Sequence, residues 1–364
     1  MTDRFPNTVL YSLIVLILLT EVVTPLRSEP PQPFTIVAIP DTQNYVRKGY
    51  GDLFEQKVQW IVENVNALNI TFVTHEGDIV QNGFGNLKSQ QWQRADEILA
   101  MLDSAVPYSV CLGDHDYNFK ELPFTGTSHF VHYFGSHRYI GQPWYGGASQ
   151  SETSHYQFFR AGGRTFLHLN LECDVPGKGT TQDQAAWAQS IIDRYPGMPT
   201  IVSTHSYVTD ARKLLSHSFV GRTERPELWG GTRRSGEEIW NDLIHHNSQI
   251  FMVLNGNEHL GPAYNNGEYH QVSYSETAQP VIEVLSNYQG YQRGGDGWLR
   301  LITFDESMSQ IRFHAYSPTR GQFRRENAGT PRASEFVLAL DFNHRLGPRQ
   351  MLPIASVSAK PNVE

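Results

Sequence analysis

Apolar runs of five or six residues alternate with amphipathic segments over the first third of the chain. The runs predict buried strands, and the segments predict helices because their apolar residues recur at a spacing of about 3.6. In chain order, the predicted elements are a strand at 34–39, a helix at 53–68, a strand at 70–75, a helix at 91–102 and a strand at 108–112. This β-α-β-α-β order is typical of a parallel sheet with right-handed crossovers, which binds ligands beyond the carboxyl ends of its strands.

The pattern continues and then changes in the second half of the chain. Asp52 with Glu55, and later Ser235 with Glu238, have the spacing of helix capping boxes. The further predictions are a strand at 165–171, a helix at 182–195, a strand at 200–203, a helix after Ser235, a strand at 250–254, and closely spaced strands at 269–274, 281–285, 298–304, 310–315 and 336–342. The close spacing from residue 269 onward favours an antiparallel half.

Length and composition indicate a packed, loop-rich soluble protein. The 364 residues could make two average domains or one large layered domain, with 39% hydrophobic residues, 18% charged residues and 30 glycines. A net charge of −8 argues against bulk binding of nucleic acid or of an anionic membrane, so that any contact with a polyanion must be local. The sequence leaves the oligomeric state open.

The N-terminal 28 residues have the pattern of an export signal. Arg4 precedes an apolar run of eleven residues at 9–19, which is too short for a spanning helix of about 20 residues. We therefore expect an exported protein, periplasmic or extracellular, with an uncleaved N-terminal membrane anchor as the alternative. Export would permit one disulfide between Cys111 and Cys173, but both lie in apolar runs where buried free thiols are equally plausible.

Five short polar clusters follow apolar runs between residues 38 and 259. They are 40–43 (Pro-Asp-Thr-Gln), 77–78 (Gly-Asp), 113–116 (Gly-Asp-His-Asp), 204–205 (Thr-His) and 256–259 (Gly-Asn-Glu-His). Each cluster alone is typical of an ordinary turn, since Gly and Asp are common turn residues. Their joint occurrence after successive strands predicts a site for divalent cations, because carboxylate, amide and imidazole groups from several strand ends can converge there.

The order of these clusters resembles the calcineurin-like metallophosphoesterase superfamily over residues 34 to about 317. The Asp-Thr-Gln motif in the run 40–43, the run 77–83 and the later runs 287–289 and 294–301 add a resemblance to an exported bacterial subgroup. The resemblance implies an α/β fold, a four-layer α/β/β/α sandwich of two mixed sheets, with a two-metal site at the strand ends. We accordingly place one domain at 34–345, between the signal peptide or anchor at 1–28 and a loose C-terminal tail at 346–364.

The same resemblance implies a role for each cluster residue. One metal ion would be held by Asp41, Gln43, Asp78 and His259, and the other by Asp78, Asp114, His205 and Asn257. Asp78 would bridge the two ions, since cations about 3.5–4 Å apart need a shared carboxylate between them. His115 would stand near the scissile phosphate and assist the leaving oxygen, and Asp116 would orient or support that loop.

Three of these ligands depart from the common family pattern. Gln43 and Asn257 replace histidines, and Asp114 replaces an asparagine. Losing an imidazole at position 257 weakens the second metal position for nitrogen-preferring ions, whereas the carboxylate of Asp114 strengthens it for hard cations. The expected cofactors are two divalent ions, with manganese, iron, magnesium or calcium favoured over zinc.

The leading functional hypothesis is a metal-dependent phosphoesterase in which a metal-bridging hydroxide attacks a phosphomonoester or phosphodiester of a small molecule or a macromolecule. The alternative is a catalytically impaired or single-metal member of the fold that binds a ligand or a protein; a nuclease is less favoured by the acidic balance. The expected substrate contacts lie in the aromatic loop 129–145 and in the loop 206–234. That second loop contains Arg212, Arg222, Arg225, Arg233 and Arg234, any of which could instead be structural.

Overall fold

The computed structural model describes residues 1–2, 31–47, 49–86, 89–118, 126–211, 219–228, 231–259, 267–324 and 333–350. Its strands are β1 (Phe34–Ile39), β2 (Ile70–His75), β3 (Tyr108–Val110), β4 (Tyr145–Ala148), β5 (His155–Ala161), β6 (Arg164–Asn170), β7 (Thr200–Ser203), β8 (Val208–Ala211), β9 (Phe219–Arg222), β10 (Ile250–Asn255), β11 (Glu268–Tyr274), β12 (Pro280–Ser286), β13 (Leu299–Asp305), β14 (Gln310–Ser317), β15 (Gln322–Phe323) and β16 (Glu335–Ala339). Its α-helices are α1 (Gln43–Arg47), α2 (Gly51–Asn64), α3 (Gln90–Leu99), α4 (Ser128–Phe134), α5 (Gln184–Arg194), α6 (Gly236–Ile239) and α7 (Phe342–Leu346). The predicted signal or anchor at 1–28, apart from its first two residues, and the tail beyond 350 lie outside this description.

Two mixed sheets form the centre of residues 31–350. The first sheet has the order β15-β14-β13-β1-β2-β3, with β16 also paired to β14, and the second has the order β11-β12-β10-β7-β6-β5-β4. Within them β1, β2 and β3 run parallel, as do β6, β7, β10 and β12, whereas the other pairs are antiparallel. Parallel strands are buried on both faces and therefore have mostly apolar sequences, which explains why their positions could be predicted.

Three hydrophobic cores separate four layers. One core packs α2 and α3 against the first sheet, a second packs α5 and α6 against the second sheet, and the third joins the two sheets face to face. In the third core the ring of Phe34 stacks on Phe304 at 4.6 Å and tilts against Phe166 at 5.7 Å. These cores confirm the predicted α/β/β/α sandwich of two mixed sheets.

Of the two predicted capping boxes, the first is absent and the second is present. Helix α2 begins at Gly51 and ends at Asn64, and it lacks a side-chain cap, so that Asp52 and Glu55 form no capping box. Glu55 instead forms an ion pair with Arg94 of α3. The second predicted box is present, because Ser235 accepts a hydrogen bond from the Glu238 amide and the Glu238 side chain accepts one from the Ser235 amide. From Trp240 to Ile244 the helix continues as a π-helix.

The predicted antiparallel half is distributed over both sheets. Strands β11 and β12 extend the second sheet, whereas β13, β14 and β16 extend the first, and β12 runs parallel to β10. The hairpin of β4 and β5 was not predicted from the sequence. The final predicted strand, at 336–342, ends at Ala339, and helix α7 begins at Phe342. Cys111 and Cys173 are both buried free thiols. Among the described residues, no helix has the length and apolar character needed to cross a membrane.

Candidate metal centre

The five polar clusters converge at the carboxyl-end edge of the two sheets. Asp41 follows β1, Asp78 follows β2, the turn Asp114–Asp116 follows β3, His205 follows β7 and Asn257 follows β10. Possible ligand atoms of Asp41, Asp78 and His205 lie within 4.8 Å of one another, and so do those of Asp78, Asp114 and His115. Asp78 belongs to both groups, which is the arrangement that two neighbouring cations require.

The backbone conformation around Asp78 allows its carboxylate to lie close to His205 and to the Asp114–Asp116 turn. Asp78 has φ 54, and Gly77 before it has φ 97, so the chain turns sharply at the end of β2. A Cβ on Gly77 would stand 2.4 Å from His205 Nδ1, and one on Gly113 would stand 2.2 Å from the Asp78 nitrogen. Glycine is therefore needed at position 113 for close approach alone, because its φ of −93 suits any residue.

His205 is oriented by the protein toward two carboxylates. Its Nδ1 donates to the carbonyl of Glu76 at 2.7 Å, and its Nε2 lies 3.2 Å from both Asp78 Oδ1 and Asp114 Oδ1. A histidine held this way through one ring nitrogen presents the other as a metal ligand. His205 thus lies beside Asp78, Asp114 and Asp41, and its role as a metal ligand stays a prediction.

The loop after β12 holds Asp41 in place. Asn287 Nδ2 and Gln289 Nε2 donate to Asp41 Oδ2 at 2.9 and 3.0 Å, and the Asn257 amide donates to Oδ1 at 3.2 Å. The run 287–289 was part of the family resemblance, but its contacts with Asp41 were not predicted from the sequence. Tyr288, between them, is buried and donates its hydroxyl to Glu268.

Gln43 and Asn257 are the two amide side chains predicted to be ligands. Gln43 Nε2 donates to Asp78 Oδ2 at 2.5 Å, and its buried Oε1 accepts no hydrogen bond from a described residue. Asn257 has φ 63, a conformation that asparagine tolerates better than most residues. His259 lines a polar pocket above these residues. Its Nδ1 is likewise buried, with no hydrogen-bond partner among the described residues.

Burial and neighbouring charges shift the pKa values of Asp41, Asp78 and His205. Burial raises the pKa of Asp41 to about 8; His205 opposes this shift and Asp78 adds to it. Burial also acts to raise the pKa of Asp78, but the charge and hydrogen bond of His205 hold it at about 2. Burial opposes protonation of His205, yet the surrounding carboxylates raise its pKa well above the ordinary range. Clustered carboxylates and the orphaned Gln43 oxygen fit two divalent cations.

His115 and Asp116 have different positions in this centre. The His115 ring lies at the pocket wall, with Nδ1 at 2.7 Å from Gln81 Nε2 and 3.1 Å from the Gln81 carbonyl. The Asp116 carboxylate is fully buried and accepts hydrogen bonds from the amides of Ile79, Val80 and Gly113. Asp116 therefore ties the Asp78 loop to the Asp114–Asp116 turn, which is a supporting contact and not one with a substrate.

A polar pocket of about 530 Å³ opens over these residues. Its wall includes Arg47, exposed at the end of α1, together with Glu227 and Glu258. The place of Arg47 in this wall was not predicted from the sequence, because a single arginine in a short amphipathic segment has no distinguishing pattern. Its adjacency to the predicted ligand run 40–43 was the available signal.

Three arginines of the second expected substrate loop contact other residues of the protein. Arg222 pairs with the buried Glu283 at 2.6 Å, Arg234 pairs with Asp183 at 2.8 Å, and Arg233 contacts the Tyr117 hydroxyl at 3.0 Å. Arg225 is exposed, and Arg212 lies outside the described residues. The aromatic residues Phe130, Phe134, Tyr139 and Tyr145 pack in the core between the first sheet and its helices.

The comparisons with known proteins agree with this geometry. Residues 34–270 match the family model described as calcineurin-like phosphoesterase. The uncharacterized protein YvnB of Bacillus subtilis (strain 168) is 29% identical over 318 residues, which are 86% of this chain and 22% of that protein. This chain therefore spans less than a quarter of that relative.

Two solved structures are similar to this chain, and the first of them shows the same fold. The purple acid phosphatase PPD1 from yellow lupin (Lupinus luteus) seeds has a TM-score of 0.53 and 14% identity, with 90% of this chain and 58% of that chain covered. A dimetal phosphatase from Danio rerio has a TM-score of 0.47 and 12% identity, with 86% of this chain and 100% of that chain covered.

Proposed function

This chain belongs to the calcineurin-like phosphoesterase family, and we propose that it hydrolyses phosphomonoesters or phosphodiesters with the help of two divalent cations. The observation that carries the proposal is the sharing of Asp78 between two groups of possible ligands. Two cations held at such a site would activate a water molecule for in-line attack and neutralise the charge that develops on phosphorus.

The residues divide into holding and orienting groups. We assign Asp41, Gln43, Asp78 and His259 to one cation and Asp78, Asp114, His205 and Asn257 to the other. The seven side chains comprise three carboxylates, two amides and only two imidazoles. This predominance of oxygen ligands favours hard cations such as manganese, iron, magnesium or calcium over zinc. The carboxylate of Asp114 thereby offsets part of the cation affinity that is lost when Asn257 stands in place of an imidazole.

His115 and Arg47 are the groups that would meet the substrate. Gln81 fixes the His115 ring through Nδ1, so that Nε2 can donate a proton to the leaving oxygen. Arg47 is exposed on the wall of the same pocket, where its guanidinium can bind a phosphate oxygen that is not being displaced. Removing Arg47 should therefore weaken substrate binding more than it slows turnover.

The test combines metal analysis with a hydrolysis screen. Purified full-length protein would be assayed with p-nitrophenyl phosphate and bis-p-nitrophenyl phosphate in the presence of Mn, Mg, Ca, Fe or Zn. We expect two ions per chain and hydrolysis of at least one substrate, both greatly reduced in Asp78→Asn. The control is Asp193→Asn, on the exposed face of α5. Fewer than two ions with no hydrolysis would favour a single-metal or ligand-binding protein instead.

Export and the nature of the partner belong to the same proposal. We propose that residues 1–28 direct the protein out of the cytoplasm and that its substrate is a small-molecule or macromolecular phosphate ester, without bulk binding of nucleic acid. Cell fractionation followed by N-terminal sequencing would test the first point. A protein recovered in the cytoplasm with its N-terminus intact would contradict export.

A further inference from the structure

A second cavity lies beside the beginning of α5, apart from the pocket of the metal centre. Its volume is about 750 Å³, and its walls come from the turn 149–151, the loop 176–184 and residues 232–233. This volume is within the range of about 300–1,000 Å³ that small-molecule sites occupy. The predicted functions of this chain give the cavity no role.

The neutral part of the wall consists mainly of hydroxyl and amide side chains. They include Gln150, Ser151, Thr181 and Gln182, and the indole of Trp187 stands among them. Hydroxyl and amide groups can each donate and accept hydrogen bonds, so they match a ligand that has many hydroxyl groups of its own. Trp187 is only partly buried, which leaves part of its ring available to an apolar face of such a ligand.

The charged groups of the wall have partners within the protein. Glu172 accepts hydrogen bonds from the Tyr117 hydroxyl at 2.5 Å and from Gln184 Nε2 at 3.2 Å, and it lies 3.8 Å from Arg233. Asp183 forms an ion pair with Arg234 at 2.8 Å and also caps α5. Among the described residues, the wall thus has two acidic groups, Glu172 and Asp183, and one basic group, Arg233, and each acidic group already has a cationic partner, which disfavours a metal ion or a phosphate as the occupant.

We propose that this cavity binds a neutral saccharide unit. A pyranose ring presents hydroxyl groups around its rim and a weakly apolar face, and these correspond to the polar side chains and to Trp187. The phosphate of a substrate would be bound elsewhere, at the metal centre with Arg47. The inference is independent of hydrolysis, because none of the cavity residues named here is among the proposed metal ligands.

Binding can be measured directly on the full-length protein, both metal-free and metal-loaded. The probes are maltose and N,N′-diacetylchitobiose, with inorganic phosphate as an anionic comparison, followed by isothermal titration calorimetry and saturation-transfer NMR. We expect saturable binding of at least one saccharide in both forms. No saccharide binding, or phosphate bound in preference at this cavity, would overturn the proposal.

A filling substitution locates the binding. Thr181 is exposed and lines the cavity, so Thr181→Trp should occupy it without removing a buried contact and weaken saccharide binding on the order of tenfold or more. The matched control is Thr277→Trp, also exposed, in the turn before β12 at the opposite edge of the sheet from Asn287. If Thr181→Trp unfolds the protein, Gln182→Ala replaces it. Unchanged saccharide affinity in a folded cavity variant would refute the assignment.

Discussion

Substituting alanine for Gly113 tests whether close backbone approach builds the metal centre. Gly113 has φ −93 and ψ 176, which alanine adopts without strain, so the substitution would otherwise be neutral or mildly stabilising. The added Cβ, however, would stand 2.2 Å from the Asp78 nitrogen and 2.4 Å from its Oδ1, whereas real Cβ contacts are essentially never under 3.0 Å. The two loops must therefore separate by about 0.8 Å.

That separation has a calculable effect on the site. The His115 amide donates to Asp78 Oδ1 at 2.9 Å, and the same displacement along this bond would lengthen it to about 3.7 Å, beyond hydrogen-bonding distance. Losing a hydrogen bond to a charged acceptor costs roughly 1.5–3 kcal/mol. We expect the melting temperature to fall by roughly 5 °C and the affinity for Mn²⁺ to fall about 10–100-fold.

Differential scanning calorimetry and metal titration would measure these two effects. The control is Gly51→Ala at the beginning of α2, where the new Cβ would meet only the flexible side chain of Arg94. We expect Gly51→Ala to keep both the wild-type melting temperature and the wild-type metal affinity. A Gly113→Ala protein with the same two values would show that the loops tolerate the methyl group and that our reasoning is wrong.

Three further predictions concern stability, substrate binding and metal choice. Burial lowers the pKa of His168 to about 3 from its ordinary 6.5. The contribution of neutral His168 to the free energy of unfolding should therefore be fully present above pH 6.5 and decline by up to about 1.4 kcal/mol per pH unit as pH falls toward 3. In urea unfolding at several pH values, His168→Gln should show a smaller decline than the wild type, while the exposed His132→Gln keeps the wild-type decline. Arg47→Ala should raise KM about tenfold with little change in kcat or melting temperature, and an equal effect of Arg160→Ala, on the exposed side of β5, would contradict direct phosphate contact. Asn257→His should increase the affinity for Zn²⁺ relative to Mg²⁺ in competition titrations, and an unchanged ratio would argue that position 257 is not a ligand.

The layered fold was predictable because its central strands are buried on both faces. Strands β1, β2 and β7 have the predicted bounds, since the mostly apolar runs 34–39, 70–75 and 200–203 end where the polar clusters begin. Element ends that depend on partners were less predictable. Glu55 pairs with Arg94, 39 residues away, and this contact replaces the local cap that its spacing indicated.

The sequence also determined the composition of the candidate site. Parallel strands deliver the residues after their carboxyl ends to one edge, so Asp41, Asp78, Asp114 and His205 could be grouped from their positions alone. Their roles as ligands stay predictions that metal analysis must test. The aromatic loop 129–145 shows the opposite case, because local composition could not distinguish a pocket wall from the core in which these rings pack.

Only the tertiary structure decided how the site is held and what else surrounds it. The hydrogen bonds from Asn287 and Gln289 to Asp41 span more than 240 residues, and they exist because β12 and β1 end at the same edge in different sheets. The pairing of Arg222, Arg233 and Arg234 with internal partners, the position of Arg47 over the metal centre and the second cavity likewise depend on contacts between distant segments. Sequence patterns report burial and local conformation, whereas these features depend on which surfaces meet when the two sheets pack.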